Sequence, residues 1–293
     1  MFETVLQNIV SGVLVGAVYG LAALGLSLVF GVLKILNIAH GSLIMLGGYA
    51  AFWLVRLYGI DPFVALAIVI PALFVLGWLL QFALFGNVVR YEEEKRIKNS
   101  LLIGFGLTLV LQNAATRLWT ADERSITPSY STASLEFLGI RLPLIRIAAF
   151  AISLIAVVGL ELFLSRSYWG KAIRATAEDW RTAALTGINV RRTYLLTFSL
   201  GTALAGIAGT LVGVGFSISP VIGLQWTMKA LIVVVLAGLG SIRGAFLGGI
   251  VLGVTESASA YIFGGQYREL VGLVIFLIIL SARPEGLFGG RRE

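Results

Sequence analysis

Long apolar runs broken at irregular intervals by short polar stretches dominate the chain. About 20 apolar residues are needed for a helix to cross hydrocarbon, and runs of that kind predict spans at 5–33, 38–57, 62–89, 100–118, 144–164, 193–216, 244–263 and 270–282. A further apolar segment, 227–239, is shorter and suits a tilted or re-entrant element. None of the runs shows the short alternating segments of a membrane β-barrel. The pattern predicts an all-α membrane protein: a polytopic helical bundle with eight or nine transmembrane segments, forming a single domain over residues 1–293.

Composition narrows the classes. Hydrophobic residues make up 58% of the 293 positions and charged ones 13%, against about 25% charged in ordinary soluble domains. So few charges cannot keep a soluble surface free of large apolar patches, and so apolar a chain is the reverse of a disordered one. The absence of cysteine removes disulfides, thiolate metal sites and a cysteine nucleophile; a single histidine, His40, removes any two-histidine metal motif. The first eight residues carry Glu3 and no Lys or Arg, and the run after them is too long for a signal-peptide core, so the first span is expected to remain in the mature protein.

The net charge is +7, and its placement says more than its size. Short cytoplasmic loops collect Lys and Arg. Arg90, Lys95, Arg96 and Lys98 lie together in one loop; Arg166, Lys171, Arg174, Arg181, Arg191 and Arg192 lie in another, 165–192. Both are expected in the cytoplasm, with the polar, turn-rich 120–143 outside. Counting the short element as a crossing also puts Lys34, Arg243, Arg283, Arg291 and Arg292 inside, with the N-terminus outside and the C-terminus cytoplasmic. Fifteen of the 22 basic residues are then inside and six outside, with Lys229 near a membrane boundary. Lys229, Arg117 and Glu161 are expected to snorkel. Glycine recurs every fourth residue at Gly12, Gly16 and Gly20, and at Gly240, Gly244 and Gly248; Gly201, Ala205, Gly209 and Gly213 continue the theme. Such stripes let helix backbones approach closely in lipid, within one subunit or across an interface.

Enzyme signatures are largely absent. His40 and Ser42, two apart on a helix, face different directions and make no dyad. No Walker A pattern occurs, so the sequence offers no evident means of hydrolysing nucleotide and no cofactor is expected in it; the glycine-rich 238–249 reads as a tight membrane turn. Ionisable groups inside spans cost about 2.5–3.5 kcal/mol on insertion scales, which singles out Glu256, mid-span among Thr255, Ser257 and Ser259. It would either hydrogen-bond to these serines or the backbone, or touch substrate. Asn37, His40, Gly41 and Ser42 mark the break between the first two spans, a plain turn or an unwound segment facing a cavity. In 165–192, Ile173, Ala177, Trp180, Ala184 and Ile188 recur at helical spacing opposite Arg174, Glu178 and Arg181. Such an amphipathic helix or helix pair, ending near Gly187, would lie on membrane lipid or dock into a partner.

Three motifs, in order, carry a resemblance. GLAALGLSLVFGVLKILNIAHGSLIMLGGY resembles the N-terminal signature of the permease subunits of branched-chain amino-acid ABC importers, of the LivH type. GKAIRATAEDWRTAALTGIN resembles their cytoplasmic coupling loop, and VVLAGLGSIRGAFLGGIVLGVTES their late glycine-rich run. The likeness covers roughly residues 9–288. It implies an inner-membrane, non-catalytic permease working with a second, related permease, two cytoplasmic ATPases that bind the ATP, and an extracytoplasmic binding protein, with no nucleic acid involved. It implies ATPase coupling by Arg174, Ala177, Glu178, Asp179, Ala184 and Gly187, and moves 165–192 from the lipid surface to the ATPase. Asn37, Ala39, His40 and Gly41 fall at the signature; Ser42 stands where many members carry an acidic residue. Asn37, His40, Gly41, Ser42 and Glu256 are the candidates for the translocation pathway. Urea and short-chain amide importers share the signature and supply the alternative substrate. A stand-alone channel or ion-coupled carrier is the alternative from another class, disfavoured because Glu256 has no evident partners for a proton relay.

Overall fold

The computed structural model describes residues 2–137, 139–283 and 286–288; Arg291 and Arg292 lie outside them. Eleven α-helices follow in order: α1 Phe2–Leu33, α2 His40–Tyr58, α3 Pro62–Leu80, α4 Glu93–Trp119, α5 Leu144–Arg166, α6 Tyr168–Glu178, α7 Trp180–Leu185, α8 Val190–Gly215, α9 Ile222–Ala237, α10 Ile242–Phe263 and α11 Arg268–Ala282. A π-helical turn, Gln81–Phe85, prolongs α3, and an antiparallel hairpin of β1 Ser134–Phe137 and β2 Ile140–Pro143 precedes α5. Among the described residues eight helices are long and apolar enough to cross a membrane, with the 16-residue α9 as a shorter apolar helix.

Contacts between elements fix two ends. At one, α1 ends beside the connection between α9 and α10, where Gly31 packs on Gly240, and Leu33 accepts from Arg96 in the second turn of α4. Leu287 and Phe288, beyond α11, donate there to Leu236 and Ala237. α6 and α7 lie at this end. At the other end, Gln7 near the start of α1 bonds Arg141 of the hairpin in both directions, and Tyr130 donates to Asp61 at the start of α3. There Arg124 pairs with Ile218 between α8 and α9. Followed between these ends, the chain makes nine passes, α9 among them. An odd number puts the start of α1 and the end of α11 at opposite ends of the bundle.

The core is α1, with α8 beside it; both are almost wholly buried while α4 and α11 are mostly exposed. The glycine stripes explain the closeness of their crossings. A Cβ built on Gly16 would lie 2.6 Å from the Gly249 carbonyl of α10, and one on Gly25 would lie 2.6 Å from the Gly201 carbonyl of α8. These stripes therefore pack within the subunit, where close backbone approach replaces the hydrophobic drive that lipid removes.

Two helices begin inside the bundle. After α1 the chain leaves the helix at Lys34 (φ +53°), runs without regular structure to a turn at 38–39 and passes back along α4, whose Arg96, Ser100 and Gly104, four residues apart, meet Leu33, Leu36 and Ile38 in turn. Eight helical residues rise about 12 Å, so α2 starts well inside the bundle, with His40 at the level of Ala22 and Gly25 of α1. From the opposite side, 216–221 leads down to α9, whose first turn meets the first turn of α2 at Gly223 and Gly41.

Segment 165–192 is a pair of helices rather than one. The apolar spacing is reset at Asp179, whose extended backbone (φ −150°, ψ 107°) separates α6 from α7. Its carboxylate caps α7, accepting from Arg181 N (2.9 Å) and the Thr182 hydroxyl.

Candidate functional site

The interior break is a largely buried segment tied at several points. Asn37 Oδ1 accepts from Ala39 N (3.1 Å) and the Asn37 carbonyl from His40 N. The Thr227 hydroxyl of α9 donates to the Ile38 carbonyl (2.8 Å) and accepts from Gly41 N (2.9 Å). His40 is buried, with Nε2 2.8 Å from the Ala22 carbonyl; a carbonyl only accepts, so Nε2 carries the proton. Ser42 is buried against Gly223. Asn37, His40, Gly41 and Ser42 thus form one cluster, where the N-terminal turns of α2 and α9 meet.

Glu256 belongs to a second cluster. It is 2% exposed, and none of the neighbouring serines bonds it. Its Oε1 accepts from Lys229 Nζ (2.9 Å), and its Oε2 from Arg268 Nε (2.9 Å) and the Tyr19 hydroxyl (2.9 Å). Arg268 Nη2 also reaches the Tyr19 oxygen (3.2 Å), and Lys229 lies 3.4 Å from Glu269. Lys229 therefore does not snorkel: its side chain is 16% exposed and turned into the bundle. Partnership explains this, since burying one carboxylate needs compensating charge, and sequence spacing cannot show partners on other helices. Glu161 likewise pairs across helices, with Arg243 (2.7 Å), but at the exposed α6–α7 end. The two clusters are joined by α1 and α9: Tyr19 and Ala22 lie one turn apart, and Thr227 serves the break while Lys229 serves Glu256.

The α6–α7 pair is mounted firmly and displays a distinct face. Gly170 packs against the backbone of Leu164, Ile173 is buried, and Arg174 Nη2 bonds the Ser165 carbonyl (3.3 Å). Arg174, Ala177 and Glu178 line a cavity of about 800 Å³ shared with Lys34, Glu161 and Arg243. Asp179, Ala184 and Gly187 are exposed. Gly187, at φ +86°, ends the α7 turn through bonds from Gly187 N and Ile188 N to Ala184 and Ala183; only glycine adopts that backbone without strain. The hydrogen bonds from Thr182 and Arg181 hold the Asp179 carboxyl below the usual carboxylate range. Trp180 is exposed, with the Arg181 guanidinium over its ring, and Leu185 is 88% exposed, so α7 offers an apolar surface.

The family model for the branched-chain amino acid transport system permease component matches residues 8–282. The chain belongs to that family. The permease is 34% identical over 295 residues to the high-affinity branched-chain amino acid transport system permease protein BraD of Pseudomonas aeruginosa, covering 97% of this chain and 95% of the relative. It is 32% identical over 302 residues to LivH of Escherichia coli, with the same coverage. A more distant relative in that organism, LivM, also named a permease protein of the high-affinity branched-chain system, is 26% identical over 292 residues, or 92% of this chain and 67% of LivM. The α6–α7 face and the interior break were both marked by sequence motifs. Thr227, Tyr19, Arg96 and Arg268, which complete the clusters, were not; Arg96 read as a loop cation, yet it is buried and bonds Leu33 and Tyr91.

Proposed function

We propose that this permease is the membrane subunit of an ATP-driven importer for branched-chain amino acids, receiving substrate from an extracytoplasmic binding protein and driven by two cytoplasmic ATPases. The observation that carries this reading is the α6–α7 face: a rigidly anchored helix pair that exposes Trp180 and Leu185 beside the charged Glu178 and Asp179. A surface of that make-up suits a partner's groove. Arg174, Ala177, Glu178, Asp179, Ala184 and Gly187 are the coupling residues; a push there reaches the cavity at the end of α1 and through it the bundle. The interior break and the Glu256 cluster lie along the helices that such a push would shift, which supports Asn37, His40, Gly41, Ser42 and Glu256 as pathway or gating residues. One organism's system includes two permease relatives of this chain, LivH and LivM, which supports a second, related permease as the membrane partner. The charge distribution supports a cytoplasmic α6–α7 end, with the N-terminus outside.

The test is isolation of the tagged chain from its membranes in mild detergent, with mass spectrometry of what accompanies it. Recovery of a Walker A ATPase and a related permease is expected from wild type, and loss of the ATPase alone from Glu178→Lys. A chain recovered alone under conditions that preserve complexes overturns the proposal.

A further inference from the structure

One face of α9 is exposed although the helix begins inside the bundle. Val221, at the cap, is 59% exposed, Leu224 50% and Met228 51%, and Gln225 is exposed among them. Spacings of three, four and seven residues put all four on one side of the helix. On its other sides α9 packs against α1, α2, α10 and α11, and it touches α4. Gln225 sits between Gly223, which meets Gly41, and Thr227, which bonds the Ile38 carbonyl, so it shares the depth of the interior break. From Gln225 to the end of α9 at Ala237 the helix rises about 18 Å, more than half of a hydrocarbon core of about 30 Å.

Lipid is a poor medium for such a face. Among the described residues the Gln225 side chain makes no hydrogen bond, and an unpaired amide is costly in hydrocarbon. The chain that descends to α9 gives a second, independent indication. Segment 216–221 is neither helix nor strand, and Ser217 and Val221 on it are exposed. Irregular backbone at membrane depth is tolerated where protein buries it or where it lines water, and polar side chains there face the bundle interior or a water-filled cavity.

We propose that this face of α9 lines the water-filled passage for the transported solute, and that Gln225 is its polar contact to that solute. The solute, a branched-chain amino acid, and the second permease that closes the far side of the passage both rest on the function proposed above. Gln225 offers two donors and an acceptor, and Val221, Leu224 and Met228 offer apolar contact. The four residues carry no charge, so a zwitterion is contacted without being held by a fixed ion. Two residues on, Thr227 ties α9 to Ile38 and Gly41, so a movement of the break carries Gln225 with it.

The chain has no cysteine, which makes single introduced thiols directly readable. Leu224→Cys, Gln225→Cys and Met228→Cys, each in the full-length chain with its partners in native membranes, are treated from either side with 2-sulfonatoethyl methanethiosulfonate and mapped by peptide mass spectrometry. The reagent needs a thiolate, which forms in water and is suppressed in apolar surroundings. Labelling is expected at all three positions and slowed about tenfold at Gln225→Cys by saturating leucine, with none at Ile155→Cys, a 70% exposed position midway along α5. Gln225→Leu should raise the KM for leucine uptake about tenfold, the size of one hydrogen bond to a charged group, at an unchanged melting temperature, and Gln225→Asn should restore most of it. Three thiols as unreactive as Ile155→Cys overturn the proposal, since the face would then lie in lipid or dry against another subunit. So does an unchanged KM in Gln225→Leu. Labelling needs no transport: a wild-type complex that takes up no leucine counts against the proposed function, while the reagent still decides whether this face is wet.

Discussion

Replacing Glu256 with glutamine keeps its shape and removes one charge from a cluster of four ionised groups. Lys229 and Arg268 each donate to this carboxylate at 2.9 Å, as does the Tyr19 hydroxyl. The amide has a single acceptor oxygen, so one cation meets an NH2 group. Breaking a buried pair by removing one partner costs about 3–5 kcal/mol. Lys229 keeps Glu269 at 3.4 Å and the Arg268 side chain is 30% exposed, which argues for the low end, about 3 kcal/mol. At roughly 2–4 °C per kcal/mol for a chain of this size, melting should fall by about 6–12 °C. Glu161→Gln breaks an exposed pair with Arg243 and should cost about 0–1 kcal/mol. The assay is thermal unfolding in detergent, with a double-mutant cycle against Lys229→Met. The double variant should recover at least about 1 kcal/mol relative to the sum of the singles. Equal, small losses for Glu256→Gln and Glu161→Gln, or no coupling to Lys229, would refute the reasoning.

Three further outcomes are expected. Gly16→Ala places a Cβ 2.6 Å from the Gly249 carbonyl, so α10 must retreat by about 0.8 Å at a cost of about 1–3 kcal/mol; Gly106→Ala, with nothing within 4 Å, should melt no lower than wild type. Thr227→Val leaves Gly41 N unpaired in the interior and should destabilise by about 1–3 kcal/mol, whereas Thr227→Ser should restore the melting temperature. The Asp179 carboxyl titrates below its ordinary value because Thr182 and Arg181 bond its charged form. Its capping contribution is therefore present at neutral pH and lost only as pH falls through that depressed value; hydrogen-exchange protection of α7, corrected for intrinsic rates, should hold from pH 7 to pH 5, and Asp179→Ala should lose it throughout.

How far the chain could be read from its sequence depends on the range of each interaction. Spans were legible because length and apolarity are local properties, and the ends of α2, α5, α8 and α10 fall within a few residues of where the runs stop. The first two turns of α4, Glu93–Asn99, were assigned to a loop because they are polar, yet acidic residues at a helix start and a Glu94–Lys98 pair favour the helix. Spacing predicted α6 and α7 as an amphipathic unit but did not locate the break, which a single capping aspartate decides. The least legible features were cross-helix. Lys229 and Glu256 lie 27 residues apart and Tyr19 and Glu256 lie 237 apart, and nothing along the chain announces that they meet. The same holds for Thr227 and the break at Asn37–Gly41: a threonine in an apolar helix becomes informative once the carbonyl it serves is known.

The central claim is that this chain carries branched-chain amino acids under power delivered at α6–α7. It is tested most directly by uptake of radiolabelled leucine into proteoliposomes holding the chain with its co-purified partners, with and without ATP, for wild type and Glu178→Lys. ATP-dependent accumulation by wild type, and its loss in a Glu178→Lys chain of unchanged melting temperature, is the predicted result. Accumulation without ATP or partners, or undiminished ATP-driven uptake in Glu178→Lys, would contradict it.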